Sequence, residues 1–92
     1  MAVYKCFAVF DAAVGAFTSP AITRSRGEAI RAFTDQVNDA KSPFNNHPGD
    51  FSLWQLSEWD DSSGLYSSQT ALPERVITAV DALTEPRLGA SF

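Results

Sequence analysis

Ser25-Arg26-Gly27-Glu28 does more than any other stretch to restrict what this chain can fold into. It spells a capping box: the serine hydroxyl accepts from an orphan amide of the first helical turn, and the glutamate three residues on reaches back to the cap. A helix starting here carries Ala29, Ile30, Phe33 and Val37 on one apolar stripe, with Arg31, Asp35, Asn38 and Asp39 turned to water. Asn38 and Asp39 are poor helix formers and Pro43 drives Ser42 out of helical geometry, so the helix ends near residue 40. Burial of Ile30 and Phe33 contributes about 1.5 to 3 kcal/mol each. The rest of the chain must supply the surface that this stripe covers.

The flanking segments alternate as strands do. Tyr4, Cys6, Ala8 and Phe10 point one way and Val3, Lys5, Phe7 and Val9 the other, and both sets are largely apolar, as in a central strand. Asp11 to Gly15 reads as a turn. Ala16 to Thr23 resumes as a strand at an edge, or one broken by a bulge, because Pro20 has no amide to donate. Beyond the helix, Phe44 anchors the loop SPFNNHPGD. Alternation then returns from Asp50 to Asp60, with Phe51, Leu53, Gln55, Ser57 and Trp59 on one face and Ser52, Trp54, Leu56 and Glu58 on the other. Asp60-Asp61-Ser62-Ser63-Gly64 makes a turn and Leu65 to Gln69 a returning strand, so residues 51 to 69 form a hairpin.

A second helix is expected to open at Thr70 or Leu72, with Pro73 and Glu74 in its first turn, Leu72, Val76, Ile77, Val80 and Leu83 at helical spacing, and Pro86 as its stop. The β-branched run Val76-Ile77-Thr78 makes a strand the competing reading. The expected fold is α+β: a small antiparallel sheet of three to four strands packed by one capped amphipathic helix, with a second, C-terminal helix at an end of the sheet or in a dimer interface. Residues 1–86 form one domain and residues 87–92 a C-terminal tail.

Charge narrows the function. The net charge of −4 argues against indiscriminate phosphate binding, but it is uneven. Residues 1–46 carry Lys5, Arg24, Arg26, Arg31 and Lys41 against four acids, and residues 47–92 carry Arg75 and Arg87 against seven. A nucleic-acid face must therefore be local and drawn from the N-terminal half. No apolar run approaches the roughly 18 to 20 residues of a membrane span. Cys6, the one cysteine, cannot form an internal disulfide, which with the absence of a signal-peptide pattern suggests the cytoplasm.

Catalytic and metal constellations are not apparent, and the expectation is a protein that is not an enzyme and holds no cofactor or metal. His47, the one histidine, lies in an Asn-His-Pro-Gly turn where its reading is a loop brace. Cys6 lies mid-strand, where apolar surroundings leave a thiol inert, and a nucleophilic pair with His47 would need tertiary proximity. Glu58, Asp60 and Asp61 read as a solvated hairpin tip in the absence of the ordered spacing of a calcium loop. A different set is aromatic and basic. Tyr4, Phe7, Phe17, Trp54, Trp59 and Tyr66 lie on expected strands, some of them on the sheet face that the helices leave open, and Lys5, Arg24, Arg26 and Arg31 come from neighbouring elements. Exposed aromatics beside cations hold single strands, each stacked base contributing about 1 to 3 kcal/mol. Core packing or a dimer seam is the alternative use of the same rings.

The series Gly27, Ala29, Arg31, Phe33, Asp35, Val37, Asn38, Asp39, Ser42 and Phe44, followed by His47, Pro48, Asp50, Leu53, Glu58, Asp60 and Gly64, resembles the small nonstructural protein of gokushovirus-like microviruses, bacteriophages with circular single-stranded DNA. The resemblance covers roughly residues 4 to 66. It implies a protein made in the cytoplasm of the infected bacterium, absent from the mature capsid, that binds single-stranded DNA and acts in the switch to single-strand genome synthesis and packaging. It implies no catalytic residues. Within that reading Lys5, Arg24, Arg26 and Arg31 contact phosphate, with Trp54 or Trp59 as stacking residues. The alternative is a homodimeric interaction factor that modulates the viral initiator or a host replication protein without touching DNA.

Overall fold

In the computed structural model, which describes residues 2–68 and 71–83, the alternating N-terminal segment forms strand β1 (Val3–Asp11). The next lane is split into β2 (Ala16–Phe17) and β3 (Ala21–Thr23), both antiparallel to β1, and the break falls at Ser19 and Pro20, where an amide is missing. Helix α1 (Arg26–Val37), the short α2 (Pro43–Asn46) and a 3-10 turn at Pro48–Asp50 lead into β4 (Phe51–Asp60), which runs antiparallel along the other side of β1. β5 (Tyr66–Ser67) and β6 (Glu74–Thr78) share the far edge of β4, and α3 (Ala79–Ala82) follows. The six antiparallel strands therefore occupy four lanes: β2 with β3, then β1, β4, and β5 with β6.

The helical stripe behaves as expected. Ala29, Phe33 and Val37 are buried with Phe7, Leu53, Ala79 and Ala82, and Val9, Ile30, Phe44, Phe51 and Ile77 pack around them. Phe44 does anchor the loop, its ring 5.7 Å from that of Phe33 and 4.6 Å from that of Phe51. Ser25 Oγ accepts from the Glu28 amide at 3.2 Å. Glu28 Oε1 reaches one residue past the cap and accepts from the Arg24 amide at 2.9 Å, a variation on the expected box. Asn38, unfavourable inside a helix, caps its end: its Nδ2 donates to Thr34 O and, across the fold, to Ala82 O at 3.1 Å, tying α1 to α3.

Two expectations change. Residues 74–78 form a strand, so the C-terminal helix begins only at Ala79. The helical period is present, but Val76, Ile77 and Thr78 are β-branched, and Ile77 opposite Leu53 extends the sheet over the core. Tertiary pairing overrides the local pattern. Pro86, Gln69 and the tail 87–92 lie outside the described residues.

The second change concerns β4. Cys6 pairs with Ser57 and Phe7 with Gln55, so Leu56 is an extra residue, a β-bulge. Residues before and after a bulge no longer follow one count of two. Ser57 and Trp59 join Ser52 and Trp54 on one face, while Glu58 turns to the other and meets Lys5 at 3.4 Å. The two tryptophans expected on opposite faces therefore share one.

Both hairpin turns off the central strands follow one plan. Asp11 and Asp60 each accept from the amide two residues on, Ala13 at 3.0 Å and Ser62 at 2.9 Å. Their carbonyls accept from Gly15 and Gly64 at 2.8 and 2.7 Å. Those glycines sit at φ 77° and 75°, a region costly for any residue with a Cβ.

Candidate nucleic-acid interface

Antiparallel partners point to the same side of a sheet and neighbours along a strand to opposite sides. Phe7, Val9, Leu53 and Ile77 face α1. The other face is thereby assigned Tyr4, Cys6, Ala8 and Phe10 of β1, Phe17 and Ile22 of the first edge, Ser52, Trp54, Ser57 and Trp59 of β4, and Tyr66, Arg75 and Thr78 of the second edge. Among the described residues no helix covers it.

The rings on this face form two groups. Tyr4 and Trp59 lie 5.8 Å apart at one end. At the other, Phe17 meets Phe10 at 5.0 Å and Trp54 at 5.9 Å, the latter edge to face at 89°. Trp54 Nε1 donates to Ser52 Oγ at 2.9 Å, which sets the orientation of the indole. Both tryptophans are half-buried, whereas Phe17 is 43% and Tyr66 62% exposed. Between the groups the central floor is small, with Cys6 buried and Ser57 half-buried, and Ile22, opposite Cys6, flanks it on the first edge.

Each group has an arginine beside it. Arg24, just after β3, lines a surface hollow with Tyr4. Arg75 is the cross-strand partner of Trp54, and both line a hollow with Phe10, Ser52 and Thr78. Asp50 borders that hollow, but among the described residues no strand residue of the face is acidic. Two ion pairs among the described residues, Lys5 with Glu58 and Arg26 with Glu74, involve neither arginine.

The fold separates the basic residues named from sequence. Lys5 lies on the helix side, paired with Glu58. Arg26 Nη2 donates to the otherwise buried Gln55 Oε1 at 2.8 Å and to Glu74 Oε1 at 2.6 Å, so it satisfies a core amide. Arg31 is exposed on the outward side of α1, with helix and sheet between it and the tryptophans. Phe7 is core, 3% exposed. Arg24 alone of the four cations borders the aromatic face. Arg75 escapes sequence reasoning because residues 74–78 carry a helical period, and strict alternation through Val76-Ile77-Thr78 would have turned it to the face of Ile77; a second β-bulge, at Val76, brings it to the face of Trp54 instead.

The remaining candidates have structural roles. The His47 backbone links α2 to the following 3-10 turn, its amide donating to Pro43 O at 2.9 Å and its carbonyl accepting from Asp50 at 3.0 Å, and its exposed side chain makes no cap bond. Asp61 clamps the N-terminal end of β1: its Oδ1 accepts from the Ala2 amide at 2.8 Å. Asp60 is held below the usual carboxylate range, chiefly by the Ser62 hydroxyl at 2.7 Å and then by the Ser62 amide. Among the described residues no three of His, Cys, Asp and Glu gather as a metal site, and no helix is long and apolar enough to cross a membrane. A cleft of about 440 Å³ on the helix side, between α1 and the β2–β3 edge, is lined without a charged side chain.

No curated protein and no solved structure matches the chain. The family model described as Phage ORF5 protein matches residues 4–82, from β1 through α3, and so takes in both aromatic groups, Arg24 and Arg75. By that match over most of its length, the chain belongs to the Phage ORF5 protein family, a family of bacteriophage proteins.

Proposed function

We propose that this phage accessory protein binds single-stranded DNA on the open sheet face and acts, without catalysis, in the switch to single-strand genome synthesis and packaging in the host cytoplasm. The observation that carries the reading is the placing of Trp54 and Trp59 on one uncovered face, with Arg24 and Arg75 at its two ends. Indoles held by a ring neighbour or a hydrogen bond lose little freedom when a base stacks on them. Single strands offer such bases, whereas a duplex keeps them paired and stacked. The replication and packaging role rests on the resemblance to microvirus nonstructural proteins.

The test is tryptophan fluorescence titrated with single-stranded oligonucleotides at two salt concentrations. Quenching that weakens with salt is expected, and Arg24→Ala or Arg75→Ala lowers the slope of log affinity against log salt by about 0.7 for each phosphate the variant no longer neutralises. Arg31→Ala leaves it unchanged. Absence of any signal at low salt refutes the reading. A second reading, a homodimer that works through protein contacts, is favoured by the exposed Val3, Leu65 and Tyr66 at the Tyr4–Trp59 end. Sedimentation that shows a dimer which oligonucleotides neither join nor dissolve would select it.

A further inference from the structure

Resting on the reading of the open face as a single-strand site, we infer that the face is bipartite, with two separate stacking subsites that one strand must bridge. Among the described residues the ring contacts on this face form two groups with none between them: Tyr4 with Trp59, and Phe10 with Phe17 and Trp54. Each group has its own hollow and its own arginine, Arg24 at the first and Arg75 at the second. Between them on the two central strands lie Cys6 and Ser57, side chains too small to stack a base, with the aliphatic Ile22 beside Cys6 on the first edge.

The separation can be read from β1, which pairs regularly with β3 here. Trp59 is opposite Tyr4 and Trp54 opposite Ala8, four residues apart, hence about 14 Å at the strand rise. That is about four rises of a stacked single strand. A dinucleotide reaches one subsite only, whereas a longer strand occupies both, its second contact being intramolecular. The phosphates crossing the small floor lie between the two arginines. Recognition through base faces and phosphate does not select the sugar, so the ligand class is an unpaired strand of DNA or RNA.

Two single-tryptophan reporters test this: Trp54→Phe, which reports on Trp59, and Trp59→Phe, which reports on Trp54. Each is titrated with oligothymidylates and oligouridylates about two to eight nucleotides long. The dinucleotide should quench each reporter weakly and independently. At the bridging length both should respond over the same concentration range, with a step in affinity of tenfold or more. Tyr4→Ala should remove the step while the Trp54 reporter keeps its dinucleotide response, and Phe17→Ala should do the converse for the Trp59 reporter. Circular dichroism checks that each variant is folded. A step with either polymer supports the bridged site, and the polymer with the larger step identifies the source. If one reporter stays silent at every length, or affinity climbs without a step, the bipartite site is refuted while strand binding stands. If both stay silent with both polymers, the reading beneath it fails as well.

Discussion

Deletion of Leu56 should be tolerated, and the reason lies in the bulge. With Cys6 opposite Ser57 and Phe7 opposite Gln55, removal of the extra residue joins Gln55 to Ser57 in a regular ladder and leaves every other side chain on its present face. The cost is then the packing of one half-buried leucine, about 1 kcal/mol at half the value of full burial. Leu56→Ala should cost about the same. Were Leu56 instead a paired residue, with the irregularity of the ladder elsewhere, its deletion would carry residues 57–60 to the opposite face. It would then separate Tyr4 from Trp59, worth about 0.5 to 1.5 kcal/mol, and Lys5 from Glu58, worth about 0 to 1 kcal/mol. It would also turn a half-buried indole outward, for a total of about 3 to 5 kcal/mol. Against a stability of about 5 to 14 kcal/mol for a chain this size the two outcomes are distinct. Urea unfolding followed by circular dichroism measures the loss, and acrylamide quenching of Trp59 in the Trp54→Phe background reports its environment. A loss above about 3 kcal/mol, or a Trp59 that changes accessibility, would refute the bulge as the device that unites the tryptophans.

Phe33→Ala should lose about 3 to 5 kcal/mol by leaving a cavity under α1, a change read as a lower urea midpoint. Gly64→Ala should lose about 1 to 2 kcal/mol, because the cost is the positive φ alone: nothing lies within 4 Å of the added Cβ. For Asp60 the folded carboxyl lies below its unfolded value of about 3.9, so its contribution to stability is present above that pH and fades as pH falls through the folded value. Ser62→Ala, which removes the larger cause, should raise the Asp60 pKa in a carboxyl NMR titration, and no change would contradict that assignment. Arg26→Ala should destabilise by about 1 to 3 kcal/mol through the unpaired Gln55, with no effect on oligonucleotide affinity.

Local signals carried much of the fold. The Ser25 cap, the Ala29–Phe33–Val37 stripe, the break at Pro20 and the two Asp-to-Gly turns depend on residues within a few positions of one another, so they could be read along the chain. The alternation of β1 was equally legible, because a regular strand has one period. Three features required the folded structure. The strand at 74–78 exists because Leu53 offers Ile77 a partner, a long-range term that a helical period cannot reveal. The fate of Arg26 depends on Gln55 and Glu74, which meet it only when α1 lies across the sheet. The aromatic face depends on Leu56, since one extra residue in a ladder reverses every side chain beyond it and leaves no mark in composition or hydropathy. Sequence alone determined which rings and charges were available and most of the segments that carry them; tertiary pairing decided which share a surface, because the face of a strand residue is set by its partner and not by its neighbours.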